Sequence, residues 1–186
     1  MEMFIRQNKL GFGSEFDIRG PESRYYAHKL FFSPPKRLEL MSSDRQRVIV
    51  TLRSRLSFFR ARYDFEVSNG CTYRFQLEKR WTGVYSCVGP DESLQIYRHK
   101  GLNYSIFESG QQIAAFAGNR VTVGKGGKFV VRMNGDSSLL RRLLFVCIVL
   151  AVDTAERHND GESSVTINAG SVGPEERPFN SSWQLR

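Results

Sequence analysis

The chain has 186 residues, 40% of them hydrophobic, which is enough for one sizeable core and gives little reason to expect a second domain. Lys and Arg number 27 against 19 Asp and Glu, and this formal charge of +8 favours an anionic partner, either a phospholipid surface or nucleic acid. The three cysteines form no CxxC pair, which argues against a disulfide framework and a zinc site. Together with the opening MEMFIRQNKL, which lacks the apolar stretch of a signal peptide, they predict a cytoplasmic protein.

Residues 1–134 consist of short segments of alternating polarity separated by turn residues, as expected of an antiparallel all-β domain. A clear example places Val48, Val50 and Leu52 on the inward parity of one segment. The Asn69-Gly70 pair further along predicts a tight hairpin between two more segments. The predicted strands lie near Phe4 and at Glu15–Arg19, Tyr25–Phe31, Arg37–Met41, Gln46–Arg55, Arg62–Val67, Thr72–Glu78, Val84–Val88, Leu94–His99, Tyr104–Glu108, Ile113–Ala117 and Lys128–Met133. About a dozen strands favour a closed barrel or two packed sheets over one open sheet.

The period changes after the capping residues Asp136-Ser137-Ser138, where the sequence predicts one helix over residues 139–157. Its uninterrupted apolar run, Leu143–Val152, is about half of the roughly twenty residues that a bilayer span needs. A helix that is apolar on every side but too short to span belongs inside a protein core. The core residues predicted on it are Leu143, Leu144, Phe145, Val146, Ile148, Val149 and Leu150. Arg141 and Arg142 must then lie where the helix leaves the core, so that their guanidinium groups can reach water or a carboxylate; in the barrel implied by the resemblance described below, that place is the barrel mouth.

The predicted organisation is therefore one domain over residues 1–157 followed by a polar tail over residues 158–186. The tail is rich in Gly, Ser, Asn, Pro and Glu and shows little apolar periodicity, which predicts disorder. Phe179 and Trp183 within it are expected to be stray aromatic residues of a flexible segment, although they could dock as a short linear motif.

The order of about twelve strands and then one apolar helix resembles the tubby C-terminal-like superfamily, specifically its LURP-one-related branch. Ile5–Gly20 is similar to the opening hairpin of that family, and Leu52–Val67 is similar to its central basic strand, bend and Tyr-led strand. Phe129–Asp153 resembles its last strand, acidic turn and central helix. The resemblance covers about Phe4 to Glu156 and implies a closed antiparallel barrel of about twelve strands around a buried hydrophobic C-terminal helix. It also implies kinship with phosphoinositide-binding tubby proteins and with phospholipid scramblases.

The sequence contains no recognisable catalytic constellation, and we expect no enzyme, metal site or cofactor. None of the three histidines stands in a zinc-protease or nucleophile-elbow context, and His28 and His99 are expected to be exposed on strands. The glycine cluster at residues 124–128 lacks the spacing of a phosphate-binding loop and leads into a strand, so it predicts a hairpin turn. The pair Glu175-Glu176 falls in the tail and is expected to be solvated.

Basic charge is concentrated between residues 24 and 80, where thirteen Lys and Arg stand against five acids. Five arginines could share one patch on the barrel exterior, and they are the candidate ligands for an anionic headgroup: Arg47, Arg53, Arg55, Arg60 and Arg62. The alternative is a solvated basic face that keeps the domain soluble.

These observations predict a monomeric, non-enzymatic binding or scaffold domain that binds peripherally to anionic membrane lipid or phosphoinositide. Nucleic-acid binding is an alternative, since the same charge attracts polynucleotides and Phe58 and Phe59 could stack on bases. A protein-interaction scaffold with an unknown partner also remains open. A scramblase-like activity is disfavoured because Arg141 and Arg142 make insertion of the helix costly.

Overall fold

A computed structural model describes residues 1–8, 14–30, 37–55, 61–119, 127–159, 175–180 and 182–183. It contains twelve β-strands and one long α-helix, which confirms the predicted mostly-β fold with a C-terminal helix. The strands are β1 (Glu2–Gln7), β2 (Glu15–Arg19), β3 (Arg24–Leu30), β4 (Arg37–Met41), β5 (Val48–Ser54), β6 (Arg62–Val67), β7 (Thr72–Lys79), β8 (Val84–Val88), β9 (Ser93–His99), β10 (Asn103–Glu108), β11 (Gln111–Asn119) and β12 (Lys128–Met133). The helix α1 spans Leu139–Asn159, and a short 3₁₀ turn at Lys100–Leu102 joins β9 to β10.

The strands form one closed antiparallel barrel. Each strand pairs with its neighbours in sequence, and β1 pairs with β12 from Glu2↔Arg132 to Arg6↔Lys128 to close the ring. Closure removes the unpaired strand edges at which an open sheet could pair with another chain.

Alternation along the strands sorts side chains between the interior and the outer wall. On β7, Tyr73, Phe75 and Leu77 are buried while Arg74 is exposed, as the period of two requires. The hairpin before β7 is also as predicted: Gly70 has a φ of 90°, a left-handed value that suits glycine in a tight turn.

One predicted inward residue is wrong. Val48 was expected inside with Val50 and Leu52, but it is 37% exposed. The β4–β5 register shifts between Leu40 and Met41, so that Leu40 faces Val50 but Met41 faces Val48. This bulge rotates the first residue of β5 outward, which the alternation of the sequence does not reveal.

The helix lies inside the barrel. All ten residues from Leu143 to Val152 are at most 3% exposed and belong to the same core cluster as the inward residues of the strands, which confirms the seven predicted core residues of the helix. Ser138 caps the helix, since its Oγ accepts a hydrogen bond from the Arg141 amide at 3.3 Å. No described helix is long and apolar enough to cross a membrane.

Polar groups on the helix are confined to its two ends. At the N-terminal mouth of the barrel, where the helix begins, Arg141 pairs with Glu108, and its Nε lies 3.7 Å from Glu92 Oε1. At the C-terminal mouth, where the helix ends, the carboxylate of Glu156 lies 2.9 Å from Arg98 Nη1 and accepts a hydrogen bond from the Tyr85 hydroxyl at 2.7 Å. The arginine placement predicted near the mouth is therefore confirmed for Arg141.

Replacing Val149, which is fully buried in the middle of the helix, tests this packing. We expect Val149→Asp to lower the free energy of unfolding by more than about 4 kcal/mol, since it places a carboxylate without a partner in an apolar core. Val149→Ala should cost only about 2 kcal/mol and leave a folded protein. Chemical denaturation followed by circular dichroism measures both, and an aspartate variant as stable as wild type would show that the helix is not central.

Candidate functional site

The structure divides the five arginines predicted to form a patch. Arg53 and Arg55 at the end of β5 and Arg62 at the start of β6 lie together on the outer wall, next to the C-terminal mouth. Arg47 precedes β5 at the opposite mouth, about 20 Å from Arg53 at the usual rise of a strand. Arg60 lies outside the described residues.

Carboxylates are interleaved with the arginines on this wall. Arg53 Nη2 lies 3.1 Å from Glu66 Oε2, and Arg55 pairs with Asp64. On the other side, Arg37 Nη2 lies 2.7 Å from Glu39 Oε1. Because an ion pair between two exposed side chains, such as Arg53 and Glu66, contributes only about 0–1 kcal/mol, a stronger anion could displace that carboxylate.

Two further arginines of the wall form no ion pair with a described residue. Within the described parts of the chain, neither Arg62 nor Arg74 has an ion-pair partner, and both are exposed. Arg74 directly faces Asp64 across β6 and β7, and Arg62, two positions before Asp64 on β6, faces Gln76. Arg74 was not among the arginines predicted from the sequence, although the alternation along β7 places it on the outward side.

A groove of about 530 Å³ runs along the outer wall over β6, β7 and β8 beside these arginines. Its cationic groups are the guanidiniums of Arg55 and Arg74, and the hydroxyl of Thr72 adds a neutral donor. Two donors at its edge are already used, since Gln76 Nε2 and Ser86 Oγ both donate to Glu78 Oε1 at 2.6 Å. The groove is lined by Arg55, Asp64, Thr72, Arg74, Gln76, Ser86, Val88, Gly89 and Pro90.

Trp81 stands on the turn between β7 and β8, at the C-terminal mouth. Its side chain is 87% exposed, which is unusual for so large an apolar group. Arg80 precedes it on the turn and is exposed as well. The strand directions place this turn at the same end of the barrel as Arg55 and Arg62.

His99 corrects an expectation from the sequence. It is 2% exposed rather than solvated, and its Nε2 lies 2.6 Å from Ser105 Oγ. Phe179 from the tail packs on its ring with centroids 5.0 Å apart. Burial lowers the pKa of His99 below its ordinary value, although Glu175 and the backbone carbonyl of Arg177 act in the opposite direction.

The buried thiols show no sign of activation. Burial raises the pKa values of Cys87 and Cys147, so both stay protonated at neutral pH. Among the described residues, no group of three or more His, Cys, Asp or Glu could hold a metal ion.

The chain was compared with family models, curated proteins and solved structures. None of the three comparisons gave a match. Function must therefore be argued from the outer wall itself.

The burial of His99 predicts a pH dependence of stability. Because its pKa is lowered from the ordinary 6.5, the unfolded chain binds the proton more readily than the folded one. The neutral imidazole of His99 therefore favours the folded state fully at pH values above 6.5, and this contribution to stability is lost as the pH falls below 6.5. We expect the free energy of unfolding to decrease from about pH 7.5 to about pH 5.5, and to decrease less in His99→Gln. Equal slopes in urea denaturation of the two proteins would contradict this origin.

Proposed function

We propose that this protein is a non-enzymatic binding module that attaches peripherally to anionic membranes, with lipid headgroup phosphates bound on the outer wall of β5–β8. The observation that carries the proposal is the groove beside Arg62 and Arg74, the two arginines of this wall without an ion-pair partner among the described residues. Arg53 and Arg55 complete the cluster, because a phosphate can compete with the Glu66 and Asp64 carboxylates that they contact.

Arginine suits this role for a physical reason. Its planar guanidinium presents paired N–H donors that match two oxygens of one phosphate, and it remains charged at every physiological pH. Each basic residue near an anionic bilayer contributes about 1 kcal/mol, and the attraction decays within a Debye length of about 8 Å at physiological salt. A cluster of four arginines can therefore hold a protein at a membrane without any inserted helix.

The end of the barrel beside the cluster supports the same orientation. Trp81 projects from the C-terminal mouth, and tryptophan favours the interface between headgroups and acyl chains. With this mouth facing the bilayer, Trp81 and Arg80 would enter the headgroup layer while the arginines of the wall approach it from the side.

We further propose that the chain belongs to the LURP-one-related branch of the tubby C-terminal-like superfamily. The closed twelve-stranded barrel around a helix is the architecture that this resemblance implies. Membership supports lipid binding by analogy with the phosphoinositide-binding tubby proteins, and a cytoplasmic, membrane-peripheral location goes with it.

Co-sedimentation with liposomes tests the proposal. We expect wild type to pellet with vesicles containing phosphatidylserine or phosphoinositide, and not with neutral vesicles, with binding that weakens as salt rises. Arg62→Glu with Arg74→Glu should reduce the affinity at least about tenfold, since it reverses the charge of the two arginines that form no ion pair with a described residue.

The matched control is Arg45→Glu with Arg47→Glu, which changes the net charge equally at the opposite mouth. It should keep most of the affinity. An equal loss in both variants would mean that overall charge, and not this wall, drives binding. If the wild-type protein binds none of the vesicles but shifts an oligonucleotide in a gel at low salt, the partner is nucleic acid instead.

Trp81 provides a second, independent readout. In a Trp183→Phe background Trp81 is the sole tryptophan of the chain, and its emission should shift to the blue when anionic vesicles are added. Trp81→Ala should weaken binding to vesicles several-fold but leave binding to a soluble inositol phosphate unchanged. An emission maximum that does not move on bound vesicles would place the C-terminal mouth away from the bilayer.

A further inference from the structure

A short part of the predicted tail lies against the outer wall of the barrel near the C-terminal mouth. Residues 175–180 are described, and four of them, Glu175, Glu176, Arg177 and Phe179, contact side chains or backbone of β7, β9, β10 and the turn after β9. Helix α1 ends at Asn159, at the same mouth of the barrel.

The two acidic residues of the segment each meet a different donor. The Glu175 carboxylate accepts a hydrogen bond from the Lys100 amide at 2.8 Å. Glu176 pairs with the ammonium of Lys79, which raises the pKa of that lysine and lowers the pKa of the glutamate. The pair Glu175-Glu176 is exposed, as the sequence predicts, but each carboxylate also has a partner on the barrel.

The next positions meet aromatic residues. Arg177 lies over the ring of Phe107 at 4.2 Å and over the ring of Tyr97 at 5.3 Å. These two rings pack edge to face with centroids 5.5 Å apart, so they form a ready platform for a guanidinium. Phe179 then covers the ring of His99.

The contacts have the order and variety of a recognition site. Each contacting position of the segment meets a different group of the barrel. In segment order these groups are the Lys100 amide, the Lys79 ammonium, the paired rings of Tyr97 and Phe107, and the ring of His99. Pro178 is the one residue between Arg177 and Phe179, and it favours an extended backbone at Arg177, which helps to present successive side chains to the wall.

We propose that this surface is a peptide-binding site, occupied in cis by the chain's own segment Glu175–Phe179 and specific for a linear peptide with two acidic residues, an arginine and, two positions later, an aromatic residue. This peptide-binding site uses β9 and β10 with Lys79, so the proposal does not rest on lipid binding. Covalent attachment gives the segment an effective concentration on the order of mM, and a separate peptide of the same sequence must compete with it.

The test uses full-length protein and a fluorescein-labelled peptide with the sequence of residues 175–180, measured by fluorescence polarisation. In Glu175→Ala with Phe179→Ala, the chain's own segment loses two contacts while the residues of the barrel that form the peptide-binding site are unchanged. We expect this tail-release variant to bind the peptide at least tenfold more tightly than wild type does. A scrambled peptide of the same composition should not bind.

Charge reversal then tests specificity. Added to the tail-release variant, Lys79→Glu should reduce peptide affinity at least tenfold, and a peptide with E176K should restore it, which separates lost recognition from lost folding. The matched control is Arg80→Glu, the neighbouring cation that no described tail residue contacts; it should preserve binding. The proposal is overturned if the tail-release variant binds no better than wild type, if the scrambled peptide binds equally, or if the Lys79 and Arg80 variants behave alike.

Discussion

The space enclosed by twelve strands is the constraint on which this structure depends. Inward side chains fill a barrel of about eight strands, but a wider barrel leaves a central volume that only another element can occupy at normal packing density. Helix α1 fills it, and because strands surround the helix on every side, its buried part has no polar face. Polar groups are therefore confined to the two mouths, where Arg141 meets Glu108 and Glu156 meets Arg98 and Tyr85.

Because the helix fills the interior, both binding surfaces that we propose lie on the outside of the barrel. The outward residues of the strands carry alternating charge, and the pairs between Arg53 and Glu66 and between Arg55 and Asp64 stabilise the wall only weakly. The two proposed binding surfaces lie on different strands of the barrel exterior and differ in chemistry. One relies on guanidinium groups over β5–β8, and the other on a lysine, aromatic rings and a backbone amide around β9 and β10.

Alternation and apolar run length were sufficient to predict the twelve strands and the buried helix, since both signals are local in sequence. The pairing of Arg53 with Glu66 could not be predicted in the same way, because it depends on the register of β5 against β6. His99 was placed wrongly because its burial depends on Ser105 across a turn and on Phe179 from the distant tail. The tail contacts themselves use side chains of three separate strands, which composition cannot reveal.

The seam between β1 and β12 also constrains how the chain can fold. Arg132 Nε and Glu2 Oε1, 2.8 Å apart across this seam, are separated by 130 positions in sequence, so the ring cannot close until nearly all the strands exist. Such distant contacts carry a high loop-closure entropy and make folding slow. Until α1 has been synthesised, the inward side chains of the strands have no helix to pack against, and the apolar faces and unpaired edges of the sheet are exposed. We therefore expect the barrel to close only after synthesis of the helix, and to need protection from aggregation until then.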